Sequence, residues 1–160
     1  MIPLKDQEFI RQKFAQELLG PVKIDFFTER ELGITVPGKQ PCTYCKPTQQ
    51  MLQEIAGLSD LISLRTHHLE DGPEEARTFG VERVPGIVLR GSSQPRGGGT
   101  DTLMRPYLRF YGMPGGTEFP SFIETISDLS RGEVLLSQES MTALAAIDRE
   151  ITVRVFVTPT

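Results

Sequence analysis

Apolar residues near the start of the chain recur at helical spacing. Phe9, Ile10, Phe14, Leu18 and Leu19 share one side of a helix over Asp6–Leu19, which Gly20-Pro21 ends. The run Val22-Lys23-Ile24-Asp25-Phe26-Phe27 is short and β-rich and predicts a central strand. Gly33, Pro37 and Gly38 break the pattern, so a loop runs from Thr28 to Pro41. Helical spacing resumes from Thr43 to Ala56 and stops at Gly57. Leu61–Leu69 predicts a second strand, and Pro73–Phe79 a short helix with a proline suited to its first turn. Val84–Leu89 is an apolar strand entered through Pro85, Gly91–Thr100 a flexible loop by composition, and Tyr107–Tyr111 the returning strand. Thr117–Leu129 places Phe119, Phe122, Ile123 and Ile126 on one helical face; a helix over Leu135–Asp148 and a strand over Thr152–Val157 close the chain. This alternation predicts an α/β fold, a central mixed sheet with helices on both faces.

The tail resembles the beginning. Val22-Lys23-Ile24-Asp25-Phe26-Phe27-Thr28 and Val153-Arg154-Val155-Phe156-Val157-Thr158 both follow a helix, open on Val and a cation, and close on Thr. Two readings stand: a second unit begun and left after one strand, or a chance likeness of two apolar strands. The expected division is a domain over residues 1–131 and a helix-strand extension over residues 132–160.

Composition narrows the function classes. The chain has 160 residues, 38% of them apolar and 24% charged, and a net charge of −4. That fits one globular domain with some decoration and argues against nucleic acid or an anionic membrane as the main partner. No apolar run reaches the roughly 18–20 residues that cross a bilayer, and the first residues lack a basic stretch followed by an apolar one. A cytoplasmic location is expected. An unpaired strand at Val153–Val157 would invite pairing with a second copy, so a homodimer is the expected assembly.

The two cysteines are Cys42 and Cys45, in Cys42-Thr43-Tyr44-Cys45, between a strand and a helix. Unpaired N–H groups and the helix dipole stabilise a thiolate at a helix N-terminus, which lowers a thiol pKa from about 8.5 into the range of roughly 3.5–7.5. Cys42 takes this benefit and is the attacking thiol; Cys45, one turn in, resolves the mixed disulfide. No acid lies between Gly38 and Gln53, while Lys39 and Lys46 flank the motif. The other readings are an inert disulfide, a pair of core thiols, or half of a zinc site. Zinc would need two more ligands, and adjacent His67 and His68 on a strand point to opposite faces, so no metal is expected.

Three further positions are candidates. Pro85 after Val84 is either a cis peptide that would leave the Val84 backbone free to pair with an extended substrate, or a plain trans proline at a strand start. Asp25 interrupts an apolar strand, where a carboxylate is costly without a task; behind Cys45 it would take that thiol's proton, and at a sheet edge it would only face solvent. Gly112–Glu118 is either an anion-holding turn or turn chemistry with a Thr117 cap.

The order of elements, Cys42-Thr43-Tyr44-Cys45 and Val84-Pro85 resemble the thioredoxin superfamily. Within it, the leading helix, the C-x-Y-C site, the Arg109–Pro114 stretch and the Glu118-Phe119 helix are similar to the glutaredoxin-like protein disulfide oxidoreductases of archaea and thermophilic bacteria. Those carry two thioredoxin-fold units, each with a CxxC, and Val155–Thr160 resembles the strand before the second one. The resemblance implies a cis Pro85, a nucleophilic Cys42, Asp25 as the strand's buried aspartate, and substrate contacts at Thr43, Tyr44, Val84 and Pro85. It implies thiol–disulfide oxidoreductase activity on protein disulfides with no cofactor beyond the Cys42–Cys45 pair. A thioredoxin-reductase-like flavoprotein would supply electrons, and peroxiredoxins are plausible targets. A glutathione-linked glutaredoxin and a binding module with a structural disulfide are the alternatives.

Overall fold

The computed structural model describes residues 2–30, 40–71, 73–91, 107–132, 136–149 and 151–157. The elements follow the order α1 (Leu4–Glu17), β1 (Val22–Thr28), α2 (Cys45–Ala56), β2 (Ile62–His68), α3 (Pro73–Thr78), β3 (Gly86–Arg90), β4 (Tyr107–Tyr111), α4 (Glu118–Arg131) and α5 (Gln138–Ala145). The two expected loops and Lys39 lie largely outside the described residues.

The strands form one sheet in the order β2-β1-β3-β4. β1 pairs parallel to β2, with Val22 opposite Ile62, and antiparallel to β3, with Phe26 opposite Ile87; β3 pairs antiparallel to β4. Side chains alternate across the sheet, so the two central strands, β1 and β3, serve two cores. Ile24, Phe26, Ile87 and Leu89 face the larger one, where Ile10 and Phe14 of α1, Met51, Leu52 and Ile55 of α2, and Phe122, Ile123 and Ile126 of α4 close over them. Phe27 and Val88 face the other side and meet Ala76 and Phe79 at the short helix α3. Helices on both faces are therefore observed, as the alternation predicts.

Two contacts fix α4 against the sheet. The Ser130 hydroxyl donates to the Gly20 carbonyl at 2.5 Å and accepts from the Leu19 and Gly20 N–H groups, which ties the helix to the turn before β1. Gly91 follows β3 where a Cβ would stand 2.1 Å from the Leu129 carbonyl oxygen, so only glycine permits this approach. Thr117 precedes α4 without a side-chain cap bond, so of the two readings of Gly112–Glu118 the one with a Thr117 cap is not observed.

An ion-pair network joins α1 to α4. Lys13 contacts Glu17 at 2.6 Å and Glu124 at 2.7 Å, and Arg131 reaches Glu17 and Glu124 as well. The hydrogen bond from Lys13, opposed by burial, holds the Glu17 carboxyl below the ordinary glutamate range. A group with a depressed folded pKa stabilises above its unfolded value and loses that contribution as pH falls through the lowered one. Glu17→Gln is thus expected to lose about 1 kcal/mol or less at neutral pH. In thermal melts across pH, the gap from the parent protein should close in the acid limb; a gap independent of pH would remove this role.

The tail departs from expectation. Residues 151–157 are not a strand: Val153, Val155 and Phe156 are exposed, Phe156 by 89%. A strand needs a hydrogen-bonding neighbour, and the segment pairs with none among the described residues. Helix α5 forms, shorter than expected, and buries none of its residues.

Candidate functional site

The connection β1–α2–β2 joins two parallel strands, so α2 runs back along the sheet and starts at the carboxyl end of β1. Met51, Leu52 and Ile55 hold its apolar face in the core, which fixes where its first turn lies. Cys45 is the first residue of the helix, and its Sγ is bonded to that of Cys42 at 2.08 Å. The Cys45 N–H donates to the Cys42 carbonyl at 3.3 Å, and the Thr48 hydroxyl donates to the Tyr44 carbonyl at 2.6 Å. Cys45 is buried, 6% exposed, whereas Cys42 is half-buried and Thr43 and Tyr44 are exposed. Cys42 is therefore the more accessible of the two from solvent.

Glu29 belongs to this site, although the sequence reading gave it no part. It is the first residue after β1, and its Oε1 accepts the backbone N–H of Cys42. Glu29 lies 13 residues before Cys42 in the chain, and the two meet only in the fold. Lys46 is exposed in the first turn of α2.

The Val84–Pro85 peptide is cis. Pro85 is buried and Val84 half-buried. Phe27 pairs with Gly86, so Pro85 lies level with Thr28, at the sheet end where β1 releases Glu29. The Pro85 carbonyl accepts from the Gly112 N–H at 2.9 Å. The disulfide, Glu29 and the Val84-Pro85 turn thus gather at one end of the sheet.

Asp25 is 1% exposed, so the solvent-facing reading fails. It shares a sheet face with Phe27 and Val88, opposite the face that α2 covers. Its Oδ1 lies 2.8 Å from His67 Nε2, and its Oδ2 accepts from Arg90 Nε at 2.9 Å and also from Arg90 Nη2. Around them His67 stacks on Phe27 with centroids 4.7 Å apart, and Arg90 lies over Phe79 at 4.9 Å. No hydrogen bond joins Asp25 to either cysteine among the described residues. Sequence reading put one histidine on a sheet face but did not couple it to Asp25. The link shows only in the strand register: Asp25 pairs with Arg65 in a parallel ladder, so His67 lies two residues further on the same face. The His68 Nδ1 is buried without a hydrogen-bond partner among the described residues. No three His, Cys, Asp or Glu groups cluster as metal ligands among those residues, and no described helix is long and apolar enough to cross a membrane.

No family model and no curated protein sequence matches the chain. Solved structures do. A protein disulfide oxidoreductase from Aeropyrum pernix superposes with a TM-score of 0.67 at 21% identity, over 89% of this chain and 54% of that one. The NTD_N/C domain of the alkylhydroperoxide reductase AhpF from Enterococcus faecalis gives 0.68 at 20% identity, over 93% of this chain and 62% of that one. A mutant AhpF from the same organism gives 0.67 at 20%, over 91% and 60%. The chain spans little more than half the length of each. At these identities the likeness is one of architecture, and on that ground the chain is a thioredoxin-fold protein carrying a CxxC disulfide.

Proposed function

We propose that the chain is a thiol–disulfide oxidoreductase acting on protein disulfides, with Cys42 as the attacking sulfur and Cys45 as the resolving one. The observation that carries this reading is the asymmetry of the pair at the start of α2: an accessible Cys42 ahead of the helix and a buried Cys45 within it. In the reduced protein the Cys42 thiolate attacks one substrate sulfur, and the other leaves as a thiolate. Cys45, having lost its proton, attacks Cys42 Sγ, which reforms the Cys42–Cys45 bond and expels the second substrate thiolate. Two electrons pass to the substrate, and two protons end on its thiols. An external dithiol, or a thioredoxin-reductase-like flavoprotein, restores the pair.

Asp25 is retained as the acceptor of the Cys45 proton; its burial and the one lone pair left on Oδ1 support that role. The Val84 backbone, with Thr43 and Tyr44, forms the proposed docking edge for an extended substrate segment. Likeness to an alkylhydroperoxide reductase supports a peroxide-reducing partner such as a peroxiredoxin. Residues 132–160 are read as the start of a second unit, which their likeness to the chain leading into β1 supports.

The test is the pH dependence of Cys42 alkylation in Cys45→Ser, run beside insulin reduction by the parent protein. A reactive thiol titrating well below the free-thiol value of about 8.5, with insulin turnover, is the expected result. A midpoint at or above that value with no turnover would leave a binding module with a structural disulfide.

A further inference from the structure

We infer that Glu29 is a positioning and charge-setting residue for the nucleophile: its carboxylate holds the Cys42 backbone in place and opposes ionisation of the Cys42 thiol. The inference rests on the oxidoreductase reading and deepens it. Glu29 leaves β1 at the sheet end where Cys42 sits, and its Oε1 accepts the Cys42 N–H directly. A carboxylate bound to the amide of a cysteine lies within one residue's reach of that cysteine's sulfur. The positive end of the α2 dipole attracts negative charge on Cys42, and Glu29 sets one negative charge against it.

Arg30, next in the chain, binds Asp71 at 2.5 Å, and its N–H donates to Glu70. Arg83, before Val84, lies over the Tyr111 ring at 5.8 Å. Lys46 belongs to the first turn of α2 and favours the thiolate, so Glu29 and Lys46 pull in opposite directions.

The redox consequence follows from charge balance. Reduction adds two electrons and two protons to the Cys42–Cys45 bond and gives two thiols, and Cys42 then releases a proton to become the thiolate. The disulfide carries no charge and does not feel Glu29; the thiolate does. Glu29 therefore disfavours the ionised reduced form and makes the dithiol a stronger reductant.

Glu29→Gln separates the two parts of the role, because the amide oxygen still accepts the Cys42 N–H while the charge is gone. In reduced Cys45→Ser protein, Glu29→Gln should alkylate at Cys42 about three- to tenfold faster near pH 6, with the midpoint moved to lower pH. In the protein with both cysteines, equilibrium against a dithiothreitol redox buffer should move toward the reduced form by a similar factor. Glu29→Ala should move both readouts in the same direction and also slow exchange by loosening Cys42. A midpoint and an equilibrium unchanged in both variants would overturn the inference. Insulin reduction by the parent protein decides the oxidoreductase reading separately, since the alkylation and redox measurements need no substrate.

Discussion

Cys42→Ser is expected to abolish disulfide exchange, with insulin reduction falling about a thousandfold or more, to the uncatalysed rate. A serine hydroxyl stays protonated where a thiol at a helix start ionises, and it forms no disulfide with substrate. Cys45→Ser should fail differently. Cys42 remains half-buried ahead of α2 and still attacks, but nothing resolves the product, so turnover stops after one event with substrate attached through Cys42. Incubation of the two variants with an oxidised protein, followed by non-reducing electrophoresis and mass spectrometry, checks this. A covalent adduct in Cys45→Ser that dithiothreitol dissolves, and none in Cys42→Ser, is the expected pair of results. An adduct through Cys45 in Cys42→Ser would reverse the assignment. Adducts in neither variant, with turnover retained in both, would place the chemistry away from this motif.

The architecture was legible because each element carries a strong local period. β1 alternates apolar residues around a single aspartate, and α4 repeats its aromatic and branched residues every three or four positions, so both recover nearly their full lengths in the structure. At Pro85 the local sequence left cis and trans open, and it was the resemblance to thioredoxins that implied the cis bond the structure has. What failed was context. Val153–Val157 has the composition of a strand, yet composition cannot provide a neighbour, and the segment is exposed. Glu29 and the His67–Asp25–Arg90 cluster were illegible as sites because their members lie between 13 and 65 residues apart. They meet only once the register of β1 with β2 and β3 is known. Local patterning reports what a residue is beside in the chain; these groups are set by what it is beside in the sheet.

That cluster carries the second large effect. Asp25 is nearly inaccessible, and Arg90 holds its Oδ2 through two nitrogens while His67 meets Oδ1. Removing one partner of a buried pair strands the other charge, at a cost of about 3–5 kcal/mol. Against a total stability of about 5–15 kcal/mol, Arg90→Leu should lower the melting temperature by about 10 °C or more. The double variant Asp25→Leu with Arg90→Leu should recover most of that loss, since an apolar pair of similar volume leaves no stranded charge. Thermal and urea melts of the two singles and the double close a cycle whose coupling should be well above 1 kcal/mol. A cost below about 1 kcal/mol for Arg90→Leu would mean that water reaches Asp25 after all. The same proteins separate packing from chemistry. Asp25→Asn keeps a group that both donors can still contact, and if Asp25 accepts the Cys45 proton, resolution of a preformed mixed disulfide at neutral pH should slow by about a hundredfold. If Asp25 serves only to anchor Arg90 and His67 beneath α3, resolution keeps its rate while the melting temperature falls, and Cys45 would then lose its proton to solvent at the open end of the sheet.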